Sequence, residues 1–362
     1  MLPNMRCKKI RMLIISGASG GHFFTSLAYI QHLKKKEYFE IYFIINNEVF
    51  SKYLKEEKIK FSKIYPSKFR YSPPSQFCIS ILLLILSMVR TLFIILKIRP
   101  HIIIGFGSYI CSVGIWSKIL SIPLIIHEQN VVYGQANKLL SRFADCICIQ
   151  KWTHSLYPEK EVICPLIVRE QFRQFSLSKE ETKRRLGFNS SLPLILFMGG
   201  SKGAVQINKI FMEIYPLFEE ERYQFIIISG EYYFGTIKSI LKRNARVFRF
   251  YKNIWEILRA SDIMVARAGI LSIYEALYEG VFPILVPLFS AHKHQFQNAR
   301  YFSREGLSKM FVANKNNVNS LVSFIKDFLK DGKSEDFYLK RKKILSSQGP
   351  LILEKVCFKF AR

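Results

Sequence analysis

Short apolar segments that end at glycines recur along the chain, and each is followed by a stretch with helical spacing of apolar positions. Residues 11–16 run into Gly-Ala-Ser-Gly-Gly-His, residues 102–105 into Gly-Phe-Gly-Ser-Tyr, and residues 194–198 into Gly-Gly-Ser-Lys-Gly-Ala. Strand, glycine turn and helix form the repeating unit of doubly wound parallel sheets. The pattern therefore predicts an α/β protein that binds ligands at the carboxyl ends of its strands.

The two halves of the chain repeat this plan on either side of a more polar stretch. Residues 150–192 carry Pro158 and Pro165 and lack the apolar strand pattern, as expected of a connection between domains. Further strands are expected at 41–45, 123–127, 146–149, 224–229, 247–250, 262–266 and 283–286. A length of 362 residues fits two doubly wound domains.

Residues 77–96 interrupt the rhythm, because they are almost wholly apolar and carry one charge, Arg90. Their length suffices to span a bilayer, but the strand at 102–105 favours a crossover helix. A helix that is apolar on nearly every side is either buried or in contact with lipid. The basic residues around it are Lys63, Lys68, Arg70, Lys97 and Arg99. We favour a helix resting on an anionic membrane surface, with a buried helix and a true span as alternatives.

Composition adds a strong positive charge. The chain carries 54 Lys and Arg against 27 Asp and Glu, a net charge of +27. Such a surplus attracts polyanions, although a general lysine bias of the source is the plainer alternative. No nucleic-acid-binding motif accompanies it, so anionic lipid is the expected partner and nucleic acid is not. The seven cysteines form no CxxC pair, which indicates reduced core thiols in a cytoplasmic protein.

The glycine loops are the first candidates for chemistry. Glycines let backbone N–H groups approach a ligand, and the helix after 199–204 adds its positive dipole end, an arrangement that holds a diphosphate. A tight strand-to-helix connection is the alternative. In the first loop, His22 lies at a helix N-terminus, which favours the neutral imidazole that accepts a proton. A histidine that only caps the helix is the alternative.

Two polar clusters follow predicted strands. Residues 127–130 are His-Glu-Gln-Asn, and residues 267–275 include Glu275 one turn into a helix. In a ligand cleft the first cluster can hydrogen-bond a sugar and Glu275 can hold ribose hydroxyls, whereas loop surface and a capping carboxylate are the alternatives. No Asp-x-Asp occurs in the chain. A departing diphosphate is therefore expected to meet backbone dipoles and basic side chains.

Together these motifs resemble the MurG family of peptidoglycan glycosyltransferases, within glycosyltransferase family 28. The matching segments follow the family's order and cover residues from about 10 to 300. They are GASGGH at 17–22, GFGSY at 105–109, HEQNVVYGQANKLLSRFAD at 127–145, GGSKGAVQIN at 199–208, RAGILSIYE at 267–275 and HQFQNA at 294–299. HEQN with Gly134 and Asn137 is the most specific of these elements.

The resemblance implies a GT-B fold, with two Rossmann-like α/β domains facing across a cleft. It implies an N-terminal domain of residues 1–165 with a returning helix at about 345–362, which binds a lipid-linked acceptor at the membrane. Residues 166–344 would form the domain that binds UDP-GlcNAc. The implied activity is inverting transfer of GlcNAc to the C4 hydroxyl of MurNAc in lipid I, which gives lipid II for peptidoglycan synthesis.

The resemblance also assigns roles to residues by position, with His22 as the catalytic base. Donor contacts are implied for Gly200, Ser201, Gly203, Ala204, Tyr251, Gly269, Leu271, Ser272, Glu275, His294, Gln295, Asn130 and Arg169. Acceptor contacts are implied for Ser19, Gly20, Gly21, Gly107, Ser108, Tyr109, His127 and Glu128. No metal ligand is among them, no protein-bound cofactor is expected, and a requirement for Mg²⁺ stays open.

The chain departs from the family pattern mainly in the acceptor half. The departures are Ala18, Ser19, Thr25, Ser108, Lys202, Lys293 and the altered segment before Arg169. They keep two alternatives open: a GT-B enzyme with another lipid acceptor, and a non-catalytic membrane scaffold. The expected location is peripheral, on the cytoplasmic face of the inner membrane. The expected partners are UDP-GlcNAc, lipid I, an anionic membrane surface and cell-wall synthesis proteins.

Overall fold

The computed structural model describes residues 9–17, 19–65, 74–108, 114–200, 203–288, 293–312 and 318–361. The chain forms two compact units, one of Met1–Glu170 with Ser347–Arg362 and one of Gln171–Ser346. The sequence analysis placed the division five residues earlier, at 165, and the return to the first unit at about 345.

The first unit is built on a seven-stranded, fully parallel sheet with the order β3-β2-β1-β4-β5-β6-β7. Its strands are β1 (Ile10–Ile15), β2 (Phe39–Ile45), β3 (Lys60–Lys63), β4 (Ile102–Gly105), β5 (Leu124–His127), β6 (Cys146–Ile149) and β7 (Glu161–Ile163). Its helices are α1 (Gly20–Leu33), α2 (Ser51–Glu56), α3 (Pro74–Ile98), α4 (Trp116–Ile119), α5 (Gln135–Leu140) and α15 (Gly349–Phe360). The fold class is the predicted one.

The second unit carries a six-stranded parallel sheet with the order β10-β9-β8-β11-β12-β13. Its strands are β8 (Leu194–Met198), β9 (Gln224–Ile228), β10 (Ala245–Phe248), β11 (Ile263–Ala266), β12 (Phe282–Leu285) and β13 (Lys309–Met310). Its helices are α6 (Gln171–Gln174), α7 (Lys179–Arg185), α8 (Val205–Ile214), α9 (Gly230–Ile240), α10 (Ile254–Ala260), α11 (Ile270–Tyr278), α12 (Lys293–Arg304), α13 (Val318–Asp331) and α14 (Glu335–Ile344).

The expected connection at 150–192 contains regular structure. It supplies the edge strand β7, which pairs with β6, and the helices α6 and α7. The strand has three residues, all at least partly exposed, so it has no apolar run that the sequence could reveal. Helix α7 begins with a capping box, in which Ser178 and Glu181 exchange hydrogen bonds with each other's backbone N–H.

Central strands are buried on both faces, as the continuous apolar runs predict. Met12, Leu13, Ile14 and Ile15 of β1 have no solvent exposure. One face of the first sheet packs against α1 and α15, and the other packs against the inner residues of α3. This burial fixes the strand ends, and with them the loops that follow β1, β4 and β5.

The C-terminal helix α15 is bound to the first unit by polar contacts as well as packing. Buried Glu354 pairs with His32 Nε2 at 2.8 Å and accepts a hydrogen bond from Tyr38 at 2.8 Å. Gly349 fits where a Cβ atom would lie 2.1 Å from the carbonyl oxygen of Pro165, so a side chain is excluded there. These contacts place residues 347–362 with the first half of the chain.

Helix α3 has an inverted distribution of polar and apolar side chains. Its buried side carries Ser80, Ser87 and Thr91, each at most 5% exposed, whereas Leu82 and Phe93 are 55% and 68% exposed. Only 22% of its most apolar window is buried, which contradicts the buried-helix alternative. Among the described residues, Cys78–Ile98 is the single helix whose length and composition would allow it to cross a membrane.

Candidate active site

Three loops meet at the carboxyl edge of the first sheet, after β1, β4 and β5. His22 lies in the first turn of α1, and its ring packs against the backbone of Gly107. A Cβ atom on Gly107 would lie 2.7 Å from His22 Cε1 and 2.9 Å from Nδ1, and Gly107 has a φ of +87°. Both features require glycine at this position. The structure thus brings the first and second glycine loops together around the imidazole.

His22 is held in the state that can accept a proton. Burial lowers the pKa of its imidazole; Glu128 opposes that change and the neighbouring His127 adds to it. Its Nδ1 is buried and has no hydrogen-bond partner among the described residues. A neutral imidazole near neutral pH meets the first requirement of a general base.

Glu128 is the organising residue of the loop after β5. It is fully buried, and five N–H groups donate to its carboxylate at 2.8–2.9 Å. The donors are the backbone of Gln129, Asn130 and Gly134 and the side chains of Asn130 and Asn137. Hydrogen bonds to a carboxylate are about twice as strong as neutral ones. The carboxylate therefore fixes residues 128–137 as one rigid loop.

His127 is equally enclosed. It has no solvent exposure and stacks on Phe106 with ring centroids 5.2 Å apart. Trp152 Nε1 donates to the carbonyl of Gln129 at 3.0 Å and closes the loop from behind. His127 and Glu128 thus lie beneath the surface of the site, and the direct acceptor contacts implied for them stay a prediction.

The remaining acceptor-side residues line the glycine turns. Ser19 is exposed and precedes α1, whose first residues are Gly20 and Gly21. Ser108 has a φ of +73°, the left-handed region that L side chains rarely adopt, and its Cβ occupies the space that a side chain on Gly17 would need. Tyr109 lies outside the described residues.

The second unit presents a glycine loop at the carboxyl end of β8. Gly200 has a φ of +85° and open space around it, whereas a Cβ on Gly203, with a φ of +75°, would lie 2.3 Å from the carbonyl of Ser229. The N–H of Gly203 donates to the carbonyl of Gly200 at 3.0 Å, and Ala204 precedes α8. Ser201 and Lys202 lie outside the described residues.

The turn after β11 begins α11 beside this loop. Gly269 precedes the helix, Leu271 and Glu275 are buried, and Ser272 is partly exposed. Asn298 of α12 donates to the carbonyl of Ala268 at 3.2 Å, which brings α12 to the same turn.

Two partly buried residues lie in the first turn of α12, His294 and Gln295. Gln295 Oε1 is buried and has no partner among the described residues. The donor residues predicted around β11 and α12 therefore lie around one turn.

Three predicted donor residues belong to other elements. Tyr251 follows β10 and donates to Glu256 at 2.8 Å, and burial, with this carboxylate, raises the pKa of its hydroxyl to about 12. Asn130 and Arg169 belong to the first unit, where the guanidinium of Arg169 lies 4.7 Å from the ring centre of Phe24. Within the described ranges, no three His, Cys, Asp or Glu side chains are placed to hold a metal ion.

Comparison with protein-family models identifies both halves of the chain. Residues 12–149 match the glycosyltransferase family 28 N-terminal domain, and residues 194–350 match the glycosyltransferase family 28 C-terminal domain. The chain belongs to glycosyltransferase family 28. The N-terminal domain model ends with β6 and therefore includes the glycine loops after β1 and β4. The C-terminal domain model begins at β8 and includes the glycine loop that follows it.

Relatives of this family 28 glycosyltransferase cover nearly its whole length. A protein of Halalkalibacterium halodurans is 29% identical over 306 residues, 82% of this chain and 84% of the relative. One of Lactobacillus helveticus is 29% identical over 338 residues, 90% and 92% of the two chains. Both are named UDP-N-acetylglucosamine–N-acetylmuramyl-(pentapeptide) pyrophosphoryl-undecaprenol N-acetylglucosamine transferase.

Solved structures confirm the GT-B architecture predicted for the family 28 chain. MurG of Acinetobacter baumannii aligns with a TM-score of 0.70 at 19% identity, covering 97% of this chain and all of that one. The calicheamicin glycosyltransferase CalG4 aligns with a TM-score of 0.72 at 12% identity and covers 98% of each chain.

The structure gives contacts or positions to two residues of the family 28 chain to which the motifs assigned no role. Asn137 appeared only as part of a motif and is revealed as a ligand of the Glu128 carboxylate. Arg267 opened a quoted motif without a role, yet it directly follows β11 at the glycine-loop edge. Its position one residue beyond a buried strand was the signal in the sequence.

Proposed function

We propose that this protein transfers GlcNAc from UDP-GlcNAc, with inversion, to the C4 hydroxyl of MurNAc in lipid I, giving lipid II and UDP. The observation that carries the proposal is the likeness to relatives with this named activity, which spans 82–90% of the chain and both glycine-loop edges. The neutral imidazole of His22, whose buried Nδ1 has no partner among the described residues, supports it independently, because the reaction needs a base beside a bound hydroxyl.

The chemistry is a single displacement. The C4 oxygen of the acceptor forms a bond to C1 of GlcNAc while the bond from C1 to the β-phosphate oxygen breaks. His22 takes the proton of the attacking hydroxyl, and the bonding electron pair leaves with UDP. Attack from the face opposite the leaving group inverts the configuration at C1.

The donor is assigned to the second unit. Backbone N–H groups of Gly200, Ser201, Gly203 and Ala204 would hold the diphosphate at the start of α8. Tyr251 would meet the uracil through its backbone and Glu275 would hold the ribose. Gly269, Leu271, Ser272, His294 and Gln295 would surround the phosphates and GlcNAc. We assign no protein-bound metal to this step because the chain lacks Asp-x-Asp; comparing the rate with and without EDTA tests the requirement for Mg²⁺ that the sequence leaves open.

The acceptor is assigned to the first unit. Ser19, Gly20, Gly21, Gly107, Ser108 and Tyr109 would face the acceptor's diphosphate and sugar around His22. Glu128 and His127 would act from below, because both are fully buried. Asn130, which Glu128 orients, and Arg169 are the residues of this unit to which donor contacts are assigned.

The experiment is a transfer assay with UDP-GlcNAc and a lipid I analogue, followed by mass spectrometry of the lipid product. The proposal expects a disaccharide lipid and one UDP for each transfer. An acceptor panel that includes diacylglycerol tests the first alternative, a different lipid acceptor. A folded protein that makes no product with any acceptor would favour the scaffold alternative.

We further propose that α3 holds the enzyme on the cytoplasmic face of the inner membrane. Its exposed stripe is apolar, and its inner side combines Ser80, Ser87 and Thr91 with the buried Ile95; small residues on the protein-facing side are typical of helices in lipid. A shallow cavity of about 380 Å³ lies along the stripe between Arg90 and Lys97, which can meet anionic headgroups. This supports a surface-bound helix over a span.

Vesicle co-sedimentation tests the membrane proposal. Wild-type protein should bind phosphatidylglycerol vesicles, and added salt should weaken the binding. Replacing the exposed Leu82, Leu86 and Phe93 with serine should abolish it. A matched variant with serine at Leu217, Leu339 and Leu351, also exposed, should bind like wild type. Equal binding by both variants would contradict the assignment of α3.

A further inference from the structure

Arg267 lies next to the first glycine of the loop after β8. Strands β8 and β11 are parallel neighbours, and Met198 is paired with Ala266. Gly199 and Arg267 directly follow these two residues. They therefore lie side by side at the ends of the two strands, about 5 Å apart. This register sets an arginine at the edge of the loop where a diphosphate is expected.

Within the described part of the chain, the guanidinium of Arg267 has no counter-ion. Among the described residues it makes no side-chain hydrogen bond and no ion pair, and its Nε is buried without a partner. Burial alone lowers its pKa, with no carboxylate near enough to oppose the change. An unpaired, half-buried cation is costly and persists where it serves a bound anion.

The helix N-termini near Arg267 add positive potential and no acidic side chain in their first turns. Helices α8 and α11 both begin at this edge of the sheet, and neither has an acidic residue in its first turn. Gln295, whose Oε1 is also unpartnered, lies in the first turn of α12, which is hydrogen-bonded to residue 268. Two helix N-termini and one unpaired cation favour a dianionic ligand.

We propose that Arg267 binds the diphosphate of the donor nucleotide and stabilises the charge that develops on UDP as the bond to C1 breaks. The inference rests on the proposed donor, UDP-GlcNAc, and assigns to this residue the charge compensation that a metal ion provides in other enzymes. Because negative charge grows on the leaving phosphate in the transition state, the contact should raise kcat and not only affinity.

The test is calorimetric titration of UDP and of uridine into wild type, Arg267→Met and Arg267→Lys. The methionine variant should bind UDP about 30-fold more weakly or worse, and the lysine variant about 10-fold more weakly, because lysine keeps the charge without the planar fork. Uridine should bind all three within about twofold, since it has no phosphate; this also shows that the variants are folded. In the transfer assay kcat should fall more than KM rises.

Arg249 provides the matched control. It also lies one residue beyond a strand, β10, but it is exposed and pairs with Glu231 at 2.9 Å. Arg249→Met should keep wild-type affinity for UDP. Equal UDP affinity of wild type and Arg267→Met, or an equal loss in both arginine variants, would overturn the inference, as would absence of UDP binding by wild type. Failure of lipid I transfer with these UDP results intact would instead count against the proposed reaction alone.

Discussion

The carboxyl edges of the two sheets have the same construction and opposite states. At the first edge a buried anion is fully paired: five donors surround the Glu128 carboxylate, while His22 Nδ1 and both ring nitrogens of the stacked His127 are buried with no partner among the described residues. At the second edge Arg267 and Gln295 keep buried atoms without partners, and Gly200 has open space around it. The first edge is organised around a paired carboxylate, whereas the second carries a cation that has no partner among the described residues.

This difference follows from the tasks proposed for the two edges. A base must be held in one place with one protonation state, so a neighbouring loop that is fixed by five hydrogen bonds to Glu128 serves it well. A diphosphate must be met by donors that have no other partner, because a hydrogen bond already made within the protein must first break. Variants at the first edge should therefore affect rate and stability, and variants at the second edge should affect donor affinity.

The largest expected effect is that of His22→Ala. Loss of the base should lower kcat by about 10²–10⁴-fold, the usual contribution of a positioned general base. UDP-GlcNAc affinity, measured by calorimetry, should stay at the wild-type value because the donor is assigned to the other unit. The exposed His154 provides the control, and its alanine variant should retain full activity. A comparable loss of UDP-GlcNAc affinity in His22→Ala would contradict the assignment of the base to the first unit and the donor to the second.

Glu128→Gln should cost the most in stability. The amide replaces one accepting oxygen with an NH₂ group that faces donors, so two or three of the five hydrogen bonds are lost. We expect the free energy of unfolding to fall by about 2–4 kcal/mol, measured by urea denaturation. Glu159→Gln, at an exposed position, should change it by less than about 0.5 kcal/mol. Similar stability of the two variants would show that the loop does not depend on Glu128.

Two glycine variants at the second edge separate the cost of a positive φ from the cost of a clash with a neighbouring carbonyl group. Gly203→Ala meets the carbonyl of Ser229 at 2.3 Å and has a positive φ, so it should cost about 2–3 kcal/mol and weaken UDP binding. Gly200→Ala has a similar φ and open space, so it should cost about 1 kcal/mol. Thermal unfolding and UDP titration measure both effects. Equal costs would mean that the loop moves away from Ser229 freely.

The pH dependence of kcat/KM tests whether His22 is the base. Only neutral His22 accepts a proton, and burial lowers its pKa below the ordinary 6.5. Activity should therefore persist below pH 6.5 and disappear as the pH falls through the lowered pKa. Glu128 raises this pKa, so in Glu128→Gln the acid limb should move to still lower pH. An acid limb above 6.5 would indicate another base.

The sequence revealed the alternation of strands and helices because each central strand is a short apolar run ended by a glycine. It did not reveal β3, β7 or β13, since two of these edge strands have at most one apolar face and the third has two residues. It also could not distinguish the states of α3, because a helix apolar on nearly every side has no pattern that identifies its inner face. The structure shows that face by its hydroxyl side chains.

The candidate site followed the same rule. His22 and the loop after β8 could be predicted because each follows an apolar strand and lies next to glycines in the sequence. The enclosure of His127 and the five donors of Glu128 could not, because the first depends on Phe106 from the loop after β4 and the second on how residues 129–137 fold back onto the carboxylate. The sequence shows that an arginine occupies position 267. It cannot show that this side chain lacks a partner among the described residues, because that depends on which side chains pack around it.

The smallest effect concerns the departure from the family at Ser108. Its φ of +73° strains a serine, and glycine relieves that strain at some cost in unfolded-state entropy, so Ser108→Gly should raise stability by about 0.5 kcal/mol. Ser121→Gly, with a φ of +53° at an exposed turn, should gain a similar amount. The two variants should differ in the transfer assay only if the Ser108 side chain touches the acceptor, in which case KM for the lipid I analogue changes in Ser108→Gly alone. Unchanged KM in both would assign the acceptor contact at this position to the backbone, which glycine and serine share.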